Sequence, residues 1–202
     1  FARSWLPSLG GFQGLLVTHD EVFSIADQLS LRDGPSFSYR PTVMFVYHPC
    51  DDAMLSALEL EGRGWQMQAT RRVLTTELVT GMDELGVLLA GHARHPCWFG
   101  PELRIEGARR HVPRANATTL QVAAGALAAV VSAIRHPRRG VLEADDLDFE
   151  ECLAVAAPYL GQLVGEFTDW TPLQGRGELF DEDLDPGRPW QLRNVRARQW
   201  RA

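Results

Sequence analysis

Lysine is absent from this sequence. All 20 basic residues are arginine, so no side chain here can form a Schiff base with a carbonyl substrate, and imine chemistry must run between substrates or on groups outside the chain. Coding bias in a GC-rich genome accounts for the replacement without any special function. Cysteine is scarce: Cys50, Cys97 and Cys152 are widely spaced, with no CxxC pair, which excludes a disulfide framework and suits reduced thiols and a cytoplasmic location. Long apolar runs are missing too. The longest, Leu120 to Ile134, is interrupted by Gln121 and Ser132 and is read as too short to span a bilayer, and no secretory leader is legible at the N-terminus. The chain opens on Phe1 and reads as part of something longer. A dinucleotide fingerprint is also lacking. Gly10-Gly11-Phe12-Gln13-Gly14 leads into a strand instead of following one, so it reads as a turn, because a pyrophosphate cradle needs strand, turn and helix in that order. No P-loop and no GxSxG occur.

What is present describes a globular chain. Of the 202 residues 45% are hydrophobic and 23% charged, enough apolar matter for a core. A net charge of −6 disfavours nucleic acid as a partner, since phosphate neutralisation needs a basic surface.

Gly14 to Thr18 reads as a buried strand. Phe23 to Tyr47 reads as extended segments joined by turns, with Asp33-Gly34 the strongest turn signal and a helix from Glu21 to Leu29 the rival reading. Pro49-Cys50-Asp51-Asp52 opens a helix capped by an aspartate and closed near Gly62 and Gly64. Trp65 to Thr75, Leu85 to Leu89 and Trp98 to Ile105 read as strands. Thr118 to Arg135 is the clearest helix. Asn116 or Thr118 can cap it, His136-Pro137 ends it, and its apolar surface predicts burial nearly all round. A further helix runs from about Asp148 to Ala156, before Pro158. Strands and helices without regular alternation predict an α+β fold with a mixed or antiparallel sheet. The expected organisation is an α+β region over 1–158 and an irregular tail over 159–202.

Three segments carry candidate chemistry. In Val17-Thr18-His19-Asp20-Glu21 a histidine leaves a strand end beside two carboxylates. In Gly81-Met82-Asp83-Glu84-Leu85-Gly86 two carboxylates sit between glycines, where backbone can approach a ligand closely. Carboxylates are what each ammonium of a diamine requires. For both segments an exposed acidic turn is the plainer alternative. Tyr47-His48-Pro49 is mostly a helix start, with His48 either structural or supporting. His92 and His95 with Cys97 lack the further ligands of a zinc site and read as loop residues, so no metal is expected. Tryptophans at 5, 65, 98, 170, 190 and 200 could face an ammonium, though core or interface positions account for most.

The strings VTHDEVFSIADQL, YRPTVMFVYHPCDDA, GMDELGVLLAGH, ANATTLQVA, APYLG, DWTPL and PWQLRN occur here in that order. Together they resemble the C-terminal region of bacterial homospermidine synthases, a branch of the saccharopine dehydrogenase-like proteins. The resemblance runs from Arg3 to Asn194. It implies a two-part enzyme in which a Rossmann domain, absent here, holds most of the NAD, and an α+β region encloses substrate and carries a homodimer interface. It also implies the chemistry. NAD takes hydride from putrescine, ammonia leaves, a second diamine condenses, and the hydride returns to give homospermidine; with spermidine as donor, 1,3-diaminopropane would leave. Carried over by position, His19 and Asp83 are the expected catalytic residues, Asp83 binding an ammonium and His19 orienting an amine or shuttling a proton. Glu21, His48, Glu84 and Asn116 are expected to bind substrate or support those two. The sequence departs from the family at Met44, where a histidine is common, and at Gln28, where an aromatic is common. The expected partners are therefore the diamine and a second copy, with no membrane. The competing readings are another saccharopine dehydrogenase-like reductase that joins an amine to a carboxylated aldehyde, and a non-catalytic dimerisation module. An isolated chain of this kind is expected to aggregate or to form a tight oligomer.

Overall fold

The computed structural model describes residues 1–176 and 181–197. Trp200 and the arginines at 198 and 201, part of the irregular tail expected over 159–202, lie outside the described residues. In chain order the elements are β1 (Ala2–Leu6), β2 (Gly10–Val17), α1 (Glu21–Gln28), β3 (Leu31–Asp33), β4 (Ser36–Tyr39), β5 (Phe45–Tyr47), α2 (Asp51–Gly62), β6 (Met82–Glu84), β7 (Val87–Leu89), β8 (Cys97–Arg104), α3 (Ile105–His111), α4 (Ala117–Arg135), α5 (Phe149–Leu160), β9 (Gln162–Phe167) and α6 (Leu192–Val195), with a 3-10 turn at Ala144–Asp146. All strand pairings among the described residues are antiparallel, so the α+β expectation holds. The chain divides into two compact units, one of residues 1–70 with the described residues from 169 onward, the other of residues 71–168.

In the first unit β1 and β2 form a hairpin in register Ala2↔Gly14 to Leu6↔Gly10, with Gly10 at φ 74° where the turn enters β2. The far half of β2 pairs with β5, placing Val17 opposite Phe45 and Leu15 opposite Tyr47. β3 and β4 form a separate hairpin around Asp33-Gly34, with Gly34 at φ 60°. The C-terminal segment is fastened by side chains. Buried Asn194 donates from Nδ2 to the carbonyls of Asp185, Arg188 and Pro189 at 2.9, 3.0 and 3.1 Å and accepts from Asp185 N at 2.9 Å. Trp170 packs edge-on against Trp190, with ring centroids 5.9 Å apart.

In the second unit β8 is the central strand. It pairs β6 and β7 along successive halves and β9 over Cys97–Glu102. Trp98, 1% exposed, lies beneath the Leu85-Gly86 turn that joins β6 to β7. α4 packs on α5 through Ala124, Ala128 and Ala156, and a second cluster joins Leu103, Ala108, Ala117 and Leu120, with Tyr159 touching both. Small alanines let the two helix backbones approach closely. Gln121 Nε2 donates to Leu160 O at 3.0 Å across the same seam.

Several local expectations change. Residues 21–28 form the rival helix; extended backbone begins only at Leu31. Gly10 to Gly14 lie within β2, not in a turn. The N-cap of α2 is Cys50, with no side-chain cap bond, and its apolar residues Leu55 and Leu58 are exposed. Trp65 to Thr75 is not a strand: it pairs with nothing regular, and Gly64 and Trp65 both take φ 63°. α5 continues through Pro158 to Leu160, and residues 162–167, expected as part of an irregular tail, form β9. α4 buries only one face. At 19 residues it is long and apolar enough, by length and composition, to cross a membrane, whereas the interrupted run read as too short; its Ala seam and Gln121 bond are those of a core helix. Its outer face leaves Val122, Val130 and Ile134 exposed at 65, 55 and 72%.

The α4–α5 seam is tied at one end by a charge cluster. Glu151 accepts from Arg135 Nη1 at 3.1 Å and lies 3.0 Å from His136 Nε2. The Arg135 hydrogen bond, with a smaller contribution from His136, holds the Glu151 carboxyl below its ordinary pKa against a weaker upward push from desolvation. A depressed folded-state pKa means that the contribution is complete above the ordinary carboxylate range and is lost as pH falls through the lowered value. Glu151→Gln is therefore expected to lower stability near neutrality, to change little once pH has fallen below the lowered value, and so to flatten the acid side of the stability profile. Urea unfolding of both proteins at about pH 7 and about pH 3 checks this; equal losses on acidification would remove Glu151 from the explanation.

Candidate functional site

His19 follows β2 directly and precedes α1, so the strand end fixes where it leaves the sheet. Its Nδ1 is in close contact with the Glu21 carboxylate, and both side chains are about half exposed. The His19 ring also stacks on Phe45, with centroids 4.7 Å apart and planes 13° from parallel. That stack follows from register, because pairing β5 to β2 sets Phe45 opposite Val17, two residues before the histidine. His19 and Phe45, but not Glu21, border a shallow cavity of about 190 Å³, whose remaining wall is largely carbon: Leu16, Val22, Phe23, Val43 and Met44. Met44, one of the two departures from the family pattern, is thus part of the same wall as His19. His48, in the same unit, is exposed and lies against Phe12 at 4.9 Å.

The acidic pair belongs to the second unit. Asp83 is the middle residue of β6, half-buried and opposite Leu103; Glu84 stands opposite Glu102. Paired residues share a sheet face, so Asp83 projects on the side of buried Leu103 and Glu84 with Glu102 on the other. No cation engages the Asp83 carboxylate among the described residues. A cavity of about 270 Å³ next to β6 is bordered by Met82, Glu102, Arg104, Glu106, Arg110 and Gln162, charged groups of both signs. Asn116 caps α4, its Oδ1 accepting from Thr119 N at 2.8 Å, which leaves its Nδ2 for other partners.

The structure therefore joins His19 to Glu21, adds Phe45 to them, and places Asp83, Glu84 and Asn116 in the other unit. Phe45 and Glu102 were missed by the sequence reading. Phe45 was legible only as one member of the Val43, Phe45, Tyr47 alternation, and Glu102 as one carboxylate of a strand. His92 Nδ1 accepts from Arg94 N at 3.1 Å, and no group of three or more metal-ligating side chains occurs among the described residues.

No protein-family model matches the chain. It is 52% identical over 197 residues to a homospermidine synthase of Blastochloris viridis, and 48% identical over 198 residues to one of Mesorhizobium japonicum. The chain is similar to homospermidine synthase over nearly its whole length. The alignments take in 97% of this chain and 41% of each relative, so it spans about two-fifths of their length. A crystal structure of the homospermidine synthase of Legionella pneumophila in complex with NAD superposes with a TM-score of 0.92 at 45% identity, covering 98% of this chain and 43% of that one. An alignment at this identity carries the fold with it, and the antiparallel sheets and flanking helices are those of the homospermidine synthase.

Proposed function

We propose that this chain is the C-terminal, substrate-side portion of a cytoplasmic homospermidine synthase that joins two putrescines, or putrescine and spermidine, with release of ammonia or 1,3-diaminopropane. The observation that carries the reading is the 48–52% identity to homospermidine synthases along 97% of the chain. NAD, which the Legionella enzyme binds, is the recycled hydride carrier in this reading. The glycines from Gly10 to Gly14 lie inside β2 and not in the turn between that strand and α1, so they do not build a pyrophosphate cradle at a helix N-terminus. The NAD contacts accordingly fall mainly on the part of the longer protein outside this chain.

The residues of this chain supply the polar ends of the reaction. Asp83 holds an ammonium and His19, backed by Glu21, moves a proton on an amine; Glu84, His48 and Asn116 support them. Most of the substrate and dimer contacts fall within residues 1–158, and the segment after β9, which is tied back to β1 through Ala2 and Arg3, turns its outer side to the nucleotide-binding portion or to a partner. A second copy is the proposed protein partner, no membrane or nucleic acid being required. The exposed Val122, Val130 and Ile134 of α4 support cover over that face in the assembled enzyme.

The test is a product assay on the full-length protein that carries this chain, supplied with NAD and putrescine. Homospermidine and ammonia in equal amounts, with no net NADH, are expected by mass spectrometry and absorbance. Folded, NAD-binding protein that forms no homospermidine would sink the assignment and favour a carboxylated substrate or a non-catalytic role.

A further inference from the structure

Which nitrogen of His19 works, and what holds it to its task, can be read from the two groups that touch the ring. Glu21 lies at Nδ1. A carboxylate there makes Nδ1 the protonated nitrogen of the neutral ring, which leaves Nε2 as the basic one. The Glu21 contact is an edge contact and fixes one nitrogen without fixing the plane, because a half-exposed imidazole can still tilt about its bond to the backbone. Phe45 removes that freedom. Its ring lies 4.7 Å from the imidazole at 13° between planes, one flat face covering another. Phe45 is itself seated in β5 opposite Val17, so the plane of His19 is referred to the sheet as well as to the start of α1.

We propose that Phe45 is a positioning residue for His19 and that, with Glu21, it presents Nε2 as the proton acceptor for the attacking amine. The inference rests on the synthase reading above. The cavity beside the ring contains no carboxylate in its wall; Val22, Phe23, Val43 and Met44 give it carbon surface. Such a wall suits the methylene chain of an amine whose nitrogen has lost its charge, and it penalises an ammonium. An alkylammonium reaching Nε2 passes its proton to the ring, giving a neutral amine and an imidazolium. The freed lone pair is what attacks the imine carbon, and the Glu21 carboxylate balances the positive ring through Nδ1.

Two readouts on the full-length protein test this. The first is nitrogen and ring-proton NMR of protein labelled at histidine, with His19→Gln used to assign the signal. The Nδ1-protonated tautomer is expected in the wild type and its preference lost in Glu21→Gln. Ring-current shifts of the His19 protons are expected to vanish in Phe45→Leu and to survive in Phe45→Tyr. The second is steady-state kinetics with putrescine. Phe45→Leu is expected to lower kcat about tenfold with KM within about twofold, and Phe45→Tyr to restore it, since misplacing an acid–base group costs rate more than binding. An unchanged kcat in Phe45→Leu, or unchanged His19 ring shifts, would overturn the role of Phe45. An Nε2-protonated ring in the wild type would overturn the choice of nitrogen. If the wild type makes no homospermidine, the synthase reading fails by itself, and the NMR result still decides the geometry.

Discussion

Gly161→Ala is expected to destabilise the second unit by on the order of 4 kcal/mol, the range reached when backbone strain and a hard clash coincide. Gly161 closes α5 at φ 90°, ψ −151°, a conformation that is essentially restricted to glycine. A Cβ there would also stand 2.1 Å from the Glu102 carbonyl oxygen and 3.0 Å from Leu103 Cα. Both obstacles are backbone of the central strand β8, so no side chain can swing aside to make room. The consequence should spread, because Gly161 is the link between α5 and β9, and β9 begins by pairing Gln162 with Glu102. Denaturant unfolding of the protein carrying this substitution, followed by tryptophan fluorescence, to which Trp98 beneath the sheet contributes, measures the effect. Gly125→Ala is the control: its added methyl meets nothing within 4 Å and α4 prefers alanine, so that variant should equal or slightly exceed the wild type. A loss at Gly161 below about 1 kcal/mol would mean that the β8–β9 pairing is looser than the structure describes.

The elements legible in the sequence are those whose local signal and tertiary environment agree. Asn116 before an alanine-rich run predicts α4, and Asn116 does cap it; Asp33-Gly34 predicts a hairpin turn, and β3 and β4 meet there. The failures occur where a strand or helix is chosen by partners distant in sequence. The apolar spacing from Val22 to Leu29 fits helix and strand about equally, and the sheet has no place for a strand there because β2 already pairs β1 and β5. Trp65 to Thr75 alternates correctly but finds no ladder, and β-propensity without a partner specifies nothing. β9 reads as a tail because only its pairing with Cys97–Glu102 makes it a strand.

The candidate site divides along the same line. His19 and Glu21 are two residues apart, so their contact is local and could be suspected from THDE alone. Phe45 depends on the register of β5 against β2, and a shift of one residue would turn its ring to the other face. No periodicity in the sequence encodes that register, although the resemblance to a family named the segment without naming the residue. The face that Asp83 takes has the same origin: its place opposite Leu103, away from Glu84 and Glu102, is a property of β6–β8 pairing.

That placement makes Asp83→Asn the most informative functional substitution. In the full-length enzyme it is expected to lower kcat/KM for putrescine about a hundredfold, the scale of losing a charge-assisted contact of about 2–3 kcal/mol. The amide keeps the shape of the carboxylate and its place in β6, so stability should stay within about 0.5 kcal/mol, which separates recognition from folding. A monoamine with the same carbon chain completes the argument. If Asp83 binds the ammonium remote from the reacting nitrogen, wild type and Asp83→Asn should use 1-aminobutane almost equally, because the group that Asp83 would hold is missing; the cycle of two enzymes and two amines isolates the contact. Equal losses with both amines would move Asp83 to the reacting end of the substrate. Unaltered kcat/KM with putrescine would remove it from the site and leave Glu84 and Glu102, on the opposite face of the same sheet, as the carboxylates to examine.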